Sequence, residues 1–139
     1  MEESLKKVRV AAAVVRREGK FLICKRSAGG SCAHLYEFPG GKIEPGETPR
    51  ACAERECREE LGISVNCGEK LWSVSHEYPD RTVELVFFRA ELAPDSPEPQ
   101  KSVHDEIAWV APDELKKYQF CPADTGLIRM LEGQREESR

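Results

Sequence analysis

Long apolar stretches are absent from this chain of 139 residues. No run approaches the roughly 20 apolar residues that a membrane-spanning helix needs, so we expect neither a membrane span nor a membrane partner. No signal peptide precedes the first predicted strand. We therefore expect a cytoplasmic protein.

An excess of positive charge is also absent. The chain has 21 Lys and Arg residues against 25 Asp and Glu residues, and its formal net charge is −4. A protein that binds duplex nucleic acid needs a basic face, so the composition argues against this class. An acidic protein can still bind a free nucleotide, because a bound metal ion reverses the local charge of an acidic site.

Paired metal-binding cysteines are missing, although the chain has 6 cysteines and 3 histidines. No two cysteines have Cys-x-x-Cys spacing, so neither a zinc knuckle nor a secreted disulfide framework is indicated, and we expect reduced thiols. There is no internal repeat, and the length suits one domain. We predict a single domain over residues 1–139, with a core at about 8–131 and a polar tail at 132–139.

The distribution of apolar residues predicts strands with helices on both faces of one sheet. Residues 8–15 form a continuous apolar run, as expected of a central strand that is buried on both sides. Residues 18–20 predict a tight turn, and hence a hairpin. The predicted strands are 8–15, 21–26, 70–77, 82–91 and 106–110, and the predicted later helices are 112–117 and 124–131. This pattern favours an α/β fold, an α/β/α sandwich with a mixed sheet.

The clearest helix signal follows a glycine-containing loop in the middle of the chain. Thr48 suits the N-cap, Pro49 suits the first helical position, and Gly62 suits the C-terminal stop. Apolar residues at i, i+4 and i+8 form a stripe that would dock this helix on the core: Ala53, Cys57 and Leu61.

Three carboxylates share a neighbouring stripe of the same helix. Glu56, Glu59 and Glu60 stand at i, i+3 and i+4, so their side chains project from one face. Like charges at this spacing destabilise a helix by roughly 0.2–0.5 kcal/mol per pair, a cost that a bound cation would offset. An all-oxygen ligand set prefers the hard cations Mg²⁺ or Mn²⁺ over Zn²⁺.

The loop and helix together match the pattern of the Nudix hydrolases. That pattern is Gly, five residues, Glu, seven residues, Arg-Glu, a hydrophobic residue, any residue, Glu-Glu, any residue, Gly and a hydrophobic residue. It is occupied here by Gly41, Glu47, Arg55, Glu56, Cys57, Glu59, Glu60, Gly62 and Ile63. The resemblance extends from about residue 8 to residue 131 and also implies an α/β/α sandwich.

The resemblance implies metal-assisted hydrolysis of a phosphoanhydride bond. Glu56, Glu59 and Glu60, with a backbone carbonyl near Gly41, would bind Mg²⁺ or Mn²⁺. Glu56 is the candidate to orient or deprotonate the attacking water, and attack at the β-phosphorus would release a nucleoside monophosphate and pyrophosphate. Arg55 and Glu47 would form a pair that fixes the loop against the helix.

The segments that flank the pattern resemble MutT-type nucleoside triphosphate pyrophosphohydrolases. They are residues 36–42, 77–81 and 122–124. The resemblance implies substrate contacts from Arg26, Phe38, Gly40, Lys42, Tyr78, Arg81 and Asp124. Three of these have a plainer interpretation: Arg26 as an ordinary basic residue at a strand end, Phe38 as a core side chain, and Asp124 as a helix cap.

Two departures from the family pattern leave questions open. Asp124 replaces the Asn of the bacterial MutT type, so the base could be 8-oxo-guanine or an oxidised or methylated cytosine. Many relatives have a metal-binding Glu six residues before the tryptophan that matches Trp109, but Val103 stands there in this chain. Asp105 or Glu106 could supply that ligand, and we favour Glu106. His104 we interpret as a loop residue.

Other functions share the same signature. Nudix hydrolases of other nucleoside diphosphate derivatives carry additional motifs after the loop and helix, and we recognise none of them in this chain. A module that binds a nucleotide without hydrolysing it would not need the complete carboxylate set. We expect a small-molecule nucleotide substrate and a monomer or homodimer.

Overall fold

The structure is a computed structural model that describes residues 6–30 and 32–133. Its elements are β1 (Lys6–Arg17), β2 (Lys20–Lys25), β3 (Tyr36–Glu37), β4 (Gly40–Lys42), α1 (Pro49–Leu61), β5 (Val65–Tyr78), β6 (Arg81–Leu92), β7 (Glu106–Val110), α2 (Thr125–Gly133) and two 3-10 helices, Pro112–Lys117 and Pro122–Asp124. No helix in these two described ranges has the length and apolar character needed to cross a membrane.

Strand β1 lies at the centre of a mixed sheet. It runs parallel to β6, from Lys6 opposite Arg81 to Arg16 opposite Glu91. Its other edge pairs antiparallel with β4 and, at its C-terminal end, with β2. The predicted hairpin is confirmed, and both turn residues have positive φ (53° at Glu18 and 78° at Gly19), as a two-residue hairpin turn requires.

Strand β2 leaves β1 after the hairpin and forms a separate antiparallel pair with β7. This pairing runs from Phe21 opposite Val110 to Lys25 opposite Glu106. The end of β2 also pairs with the short strand β3. Consequently the end of β2, strand β3 and the loop before β7 lie side by side, and the candidate site uses all three.

Helices cover both faces of the sheet, which confirms the α/β/α sandwich. On one face the apolar stripe of α1 is buried, as the sequence predicts, in a cluster that includes Leu22 of β2 and Phe88 of β6. On the other face Leu127 of α2 and Leu115 of the first 3-10 helix pack around Phe87. Burial of these side chains provides the main favourable free energy of folding.

Some element bounds differ from the predicted ones. Strand β5 begins at Val65 and not at the predicted residue 70, and register shifts after Cys67 and Lys70 interrupt its regular pairing with β6. Residues 112–117 form a 3-10 helix, which Tyr118 closes by donating its backbone N–H to the carbonyl of Leu115. Helix α2 continues through residues 132–133, and the rest of the predicted tail, 134–139, lies outside the described residues.

The ends of α1 are fixed by local hydrogen bonds. The Thr48 hydroxyl accepts a hydrogen bond from the Ala51 backbone N–H at 3.1 Å. Pro49 occupies the first helical position. At the other end Gly62 adopts φ 71° and donates its N–H to the Arg58 carbonyl. Both predicted caps are therefore present, and they set where the signature residues of α1 stand along the helix.

We predict that Thr48→Ala lowers the free energy of unfolding by about 1 kcal/mol, because it leaves the Ala51 N–H without its acceptor. Urea denaturation followed by circular dichroism measures the change. Thr48→Ser is the control, since it keeps the hydroxyl acceptor and should lose much less. Equal losses in the two variants would show that the cap hydrogen bond does not stabilise the helix.

Candidate active site

The Arg55 guanidinium joins the loop after β4 to helix α1. Its Nε donates to Glu47 at 2.7 Å and its Nη2 donates to the other oxygen of that carboxylate at 3.2 Å. Nη2 also donates to the Lys42 carbonyl at 3.2 Å, and Nη1 donates to Glu56 and Glu59, each at 3.1 Å. The hydrogen bonds from Arg55 lower the pKa of Glu47 to about 2, and the Arg55 pKa is itself raised by its bond to Glu47.

The three carboxylates of α1 differ in their surroundings. The side chains of Glu56 and Glu60 are each only 15% exposed, whereas that of Glu59 is 57% exposed. Glu56 packs directly against Gly41, where any Cβ would overlap its carboxylate. Glycine at position 41 thus lets the strand backbone approach the acidic side chains.

Glu60 carries the most perturbed carboxyl group of the cluster. Burial, a hydrogen bond with the Glu56 carboxyl and the nearby charge of Glu37 raise the pKa of Glu60 to about 9. Its Oε1 atom is buried and has no hydrogen-bond partner. A buried, unpaired carboxyl oxygen is costly, so this arrangement favours the approach of a cation.

All seven residues predicted to contact substrate line one cavity of about 290 Å³. They come from separate parts of the chain: Arg26 follows β2, Phe38 lies between β3 and β4, Tyr78 and Arg81 flank the β5–β6 turn, and Asp124 ends the second 3-10 helix. Gly40 and Lys42 of β4 complete the set. Gly41 lines the same cavity and touches Glu56, so the cavity adjoins the carboxylates of α1.

Aromatic contacts shape the walls of this cavity. The Arg81 guanidinium lies over the Tyr78 ring, 4.8 Å from its centroid. The Phe38 ring is buried, stacks on Phe120 at 5.7 Å and meets Phe87 edge-on at 6.1 Å. The ring of Phe38 therefore belongs to the core, as its plainer interpretation holds, while the backbone beside it borders the cavity.

Asp124 is a buried acid on the cavity wall, with 3% of its surface exposed. Burial raises the pKa of Asp124 to about 8, the charge of Glu37 adds to the rise, and Arg26 opposes it. At neutral pH the free protein therefore holds this group mainly as the neutral acid, which can both donate and accept a hydrogen bond. Asp124 also directly precedes α2, a position that suits a cap.

Glu106 is not brought to the carboxylate cluster. Glu106 pairs with Lys25 of β2 across the sheet, and Lys25 pairs on its other side with Tyr36 of β3. The Glu106 side chain accepts a hydrogen bond from the Tyr36 hydroxyl at 2.9 Å. Tyr36 packs with the α2 side of the sheet, opposite to α1. Side chains at successive strand positions alternate between faces, so Glu106 projects away from Glu56 and Glu60.

The structure adds two residues that the sequence did not single out as functional. Glu37 faces the α1 side, since its register partner Cys24 packs there. His104 is buried with its Nε2 atom 3.0 Å from Glu37 Oε2 and 3.9 Å from Glu60 Oε1. Neither residue belongs to the glycine and glutamate pattern, and only the pairing of β2 with both β3 and β7 brings them together.

Comparisons with known proteins agree with this geometry. A family model described as NUDIX domain matches residues 5–131. The chain is 38% identical over 125 residues to the CTP pyrophosphohydrolase of Escherichia coli (strain K12), covering 89% of this chain and 90% of that protein. It is 34% identical over 128 residues to the 8-oxo-dGTP diphosphatase of the same strain, covering 91% and 98%.

A solved structure is also similar to this chain in fold and sequence. The solution structure of the E. coli ORF135 protein has a TM-score of 0.81 and 36% identity, and the alignment covers 96% of this chain and 94% of that one. Because the family match spans most of the sequence and includes the carboxylate helix, this chain belongs to the Nudix family of hydrolases.

Proposed function

We propose that this enzyme hydrolyses a (deoxy)nucleoside triphosphate with a modified or oxidised base to the monophosphate and pyrophosphate. The observation that supports the proposal is that Gly41 lies between the cavity and the carboxylates of α1. Residues implied in substrate contact line one cavity, and its Gly41 touches the Glu56 carboxylate. A nucleotide in this cavity would therefore have its phosphates beside the acidic face of α1.

The residues present fit a divalent cation. Glu56 and Glu60 share a hydrogen bond, Glu60 has a buried oxygen without a partner, and every donor in the group is oxygen, which Mg²⁺ and Mn²⁺ prefer. Within residues 6–30 and 32–133, no group of three or more His, Cys, Asp or Glu side chains is arranged so that it could hold a metal ion as it stands. Glu56, Glu59 and Glu60, with the Gly41 carbonyl, are the proposed ligands; Glu106 faces the opposite side.

A bound divalent cation would lower the pKa of a water molecule and neutralise phosphate charge. The chain's own groups supply the rest. Glu56 would orient the water and accept its proton, Arg26 and Lys42 would attract the phosphates, and water attack at the β-phosphorus would release pyrophosphate. Arg55 would act by holding Glu47, Glu56 and the loop in fixed positions.

Asp124 is the proposed contact to the base. In its neutral form it can donate to a purine carbonyl, and in its ionised form it only accepts, as the amino group of cytosine would require. The related E. coli proteins are named for both kinds of nucleotide, CTP and 8-oxo-dGTP. The raised pKa of Asp124 favours the neutral form near neutral pH, which is the form that can donate to the carbonyl of an oxidised purine.

Two alternatives share the same fold. The enzyme could act on another nucleoside diphosphate derivative, or the domain could bind a nucleotide without hydrolysing it. The paired Glu56 and Glu60 carboxylates argue against the second, since binding alone does not need them. A monomer or homodimer in the cytoplasm remains our prediction for its physical state.

The test of this proposal is pyrophosphate release with Mg²⁺ from dGTP, 8-oxo-dGTP, dCTP, CTP, 5-methyl-dCTP and 5-hydroxy-dCTP. ADP-ribose and a dinucleoside polyphosphate serve as counter-substrates. Preference for a triphosphate with an oxidised purine or a cytidine-type base supports the proposal. Activity on the counter-substrates alone would support the first alternative, and no hydrolysis of any of these compounds would support the second.

Glu56→Gln is predicted to lower kcat by at least about 100-fold, because the amide can neither take a proton nor hold a cation as a carboxylate does. Pyrophosphate release and thermal denaturation together measure the effect. Glu54→Gln on the same helix is the matched control: its amide oxygen can still accept the hydrogen bond that Glu54 receives from the Cys67 N–H. A Glu56→Gln enzyme with the kcat of the unmodified protein would contradict the assignment of Glu56.

Asp124→Asn is predicted to change the choice of base more than the maximal rate. One hydrogen bond is worth roughly 0.5–1.5 kcal/mol, or about 2- to 13-fold in the ratio of kcat/KM between 8-oxo-dGTP and 5-methyl-dCTP. In the unmodified enzyme this ratio should fall as the pH rises through about 8, because Asp124 then loses its proton. The Asn variant should show no such change.

The pH series also separates the two interpretations of Asp124. Using a ratio of two substrates cancels the titration of groups that affect both, including Glu60. An equal loss for every nucleotide in Asp124→Asn, with a lower thermal midpoint, would mean that Asp124 only caps α2.

A further inference from the structure

His104 occupies an unusual position for a residue of a surface loop. Its side chain is only 4% exposed, whereas Val103 before it is 57% exposed and Asp105 after it is also exposed. Its Nε2 atom lies 3.0 Å from Glu37 and 3.9 Å from Glu60. The imidazole is therefore inserted between two carboxylates from different elements.

Hydrogen bonds through Glu37 connect His104 to the cavity proposed for the nucleotide. Glu37 uses one carboxyl oxygen for His104 and the other for Arg26, whose Nη1 donates to it at 3.0 Å. Arg26 and Glu37 line both that cavity and an adjoining cleft of about 210 Å³, which Glu60 and His104 also line. Contacts between successive side chains, from Arg26 to Glu37 and from Glu37 to His104, thus connect the cavity to the Glu60 carboxylate.

The hydrogen-bond pattern indicates how His104 acts on this series. We assign the ring hydrogen to Nε2, because this nitrogen faces the Glu37 carboxyl group at the shorter of the two distances, 3.0 Å. The other ring nitrogen, Nδ1, is buried without a partner, as suits a nitrogen that carries no hydrogen. Because Nε2 is engaged with Glu37, His104 is not itself placed as a ligand for a hard cation.

Glu37 and Glu60 are two acidic side chains that line the same cleft. Two carboxylates at close range in a partly buried site favour separation or protonation. The hydrogen bond to Glu37 fixes the imidazole of His104, and the same Nε2 atom lies 3.9 Å from Glu60 Oε1, so the fixed ring limits where the Glu60 side chain can move. Many relatives have a Glu at the place of Val103, which in this chain is exposed.

We propose that His104 is a positioning residue of this enzyme: through its hydrogen bond to Glu37 it keeps the Glu60 carboxylate on the cation-binding face of α1. This inference rests on the proposed metal-dependent function. It assigns to the buried His104 and the partly buried Glu37 the task of ordering this face, where Val103 replaces the Glu of many relatives. Such partners of a ligand typically change metal affinity or activity by about 10- to 100-fold when they are removed.

The test compares His104→Leu with His104→Gln. Both side chains fill a similar volume, but only Gln presents an N–H donor to Glu37. We expect His104→Leu to bind Mn²⁺ at least about 10-fold more weakly, as measured by electron paramagnetic resonance without nucleotide. Its half-activating Mg²⁺ concentration should rise in parallel, with the nucleotide KM at saturating Mg²⁺ changing little. His104→Gln should recover most of the Mn²⁺ affinity.

The matched control is His34→Asn. His34 is an exposed histidine that lies 3.8 Å from Asp105, and its φ of 67° is one that Asn tolerates. This variant should bind Mn²⁺ like the unmodified protein. If His104→Leu does not fold, Glu37→Gln provides the second comparison, because a neutral amide is a weaker acceptor for both Arg26 and His104 and should also weaken Mn²⁺ binding.

The outcomes separate this inference from the proposed function. If the unmodified protein binds no Mn²⁺ and hydrolyses nothing, the proposed function fails and the inference fails with it. If it binds and hydrolyses but both His104 variants match it, only the inference is overturned. Equal loss in His104→Leu and His104→Gln would also overturn it, because the hydrogen bond would then not be the means by which His104 acts.

Discussion

The arrangement of the candidate site depends on one cation, the Arg55 guanidinium. It donates to carboxylates on either side of the loop–helix junction and to the Lys42 carbonyl. The planar guanidinium can bind Glu47 through two parallel hydrogen bonds while its remaining donors reach Glu56 and Glu59, which a lysine ammonium could not do with the same geometry. Without it, a loop and a helix rich in negative charge would repel each other.

A second constraint is the absence of side chains at Gly40 and Gly41 of β4. Gly40 lies so close to the backbone of β1 that a Cβ would overlap the Ala11 carbonyl, and Gly41 lies equally close to Glu56. These approaches place the cavity and the carboxylates on adjoining sides of one short strand. The proposed substrate site and the proposed metal ligands are therefore separated by little more than the backbone of β4.

Local features of the sequence were predicted well because their causes are local. The caps of α1, its buried stripe and the hairpin after β1 follow from residue types at fixed spacing. The predicted substrate contacts came only from family resemblance, since Arg26 and Asp124 are 98 positions apart and no spacing rule connects them. The prediction of Glu106 as a metal ligand is not supported, because the strand register turns its side chain toward Tyr36.

The sequence by itself determined the carboxylate helix, the glycines beside it and hence the Nudix family of this protein. It also determined the sandwich, because the alternation of strands and helices leaves apolar faces that only such layers can bury. The tertiary structure alone decided that Glu60 is partly buried and Asp124 buried, that both have raised pKa values, and that His104 lies between Glu37 and Glu60. Burial and electrostatic environment depend on which distant segments pack together, and that information is not contained in the spacing of residues along the chain.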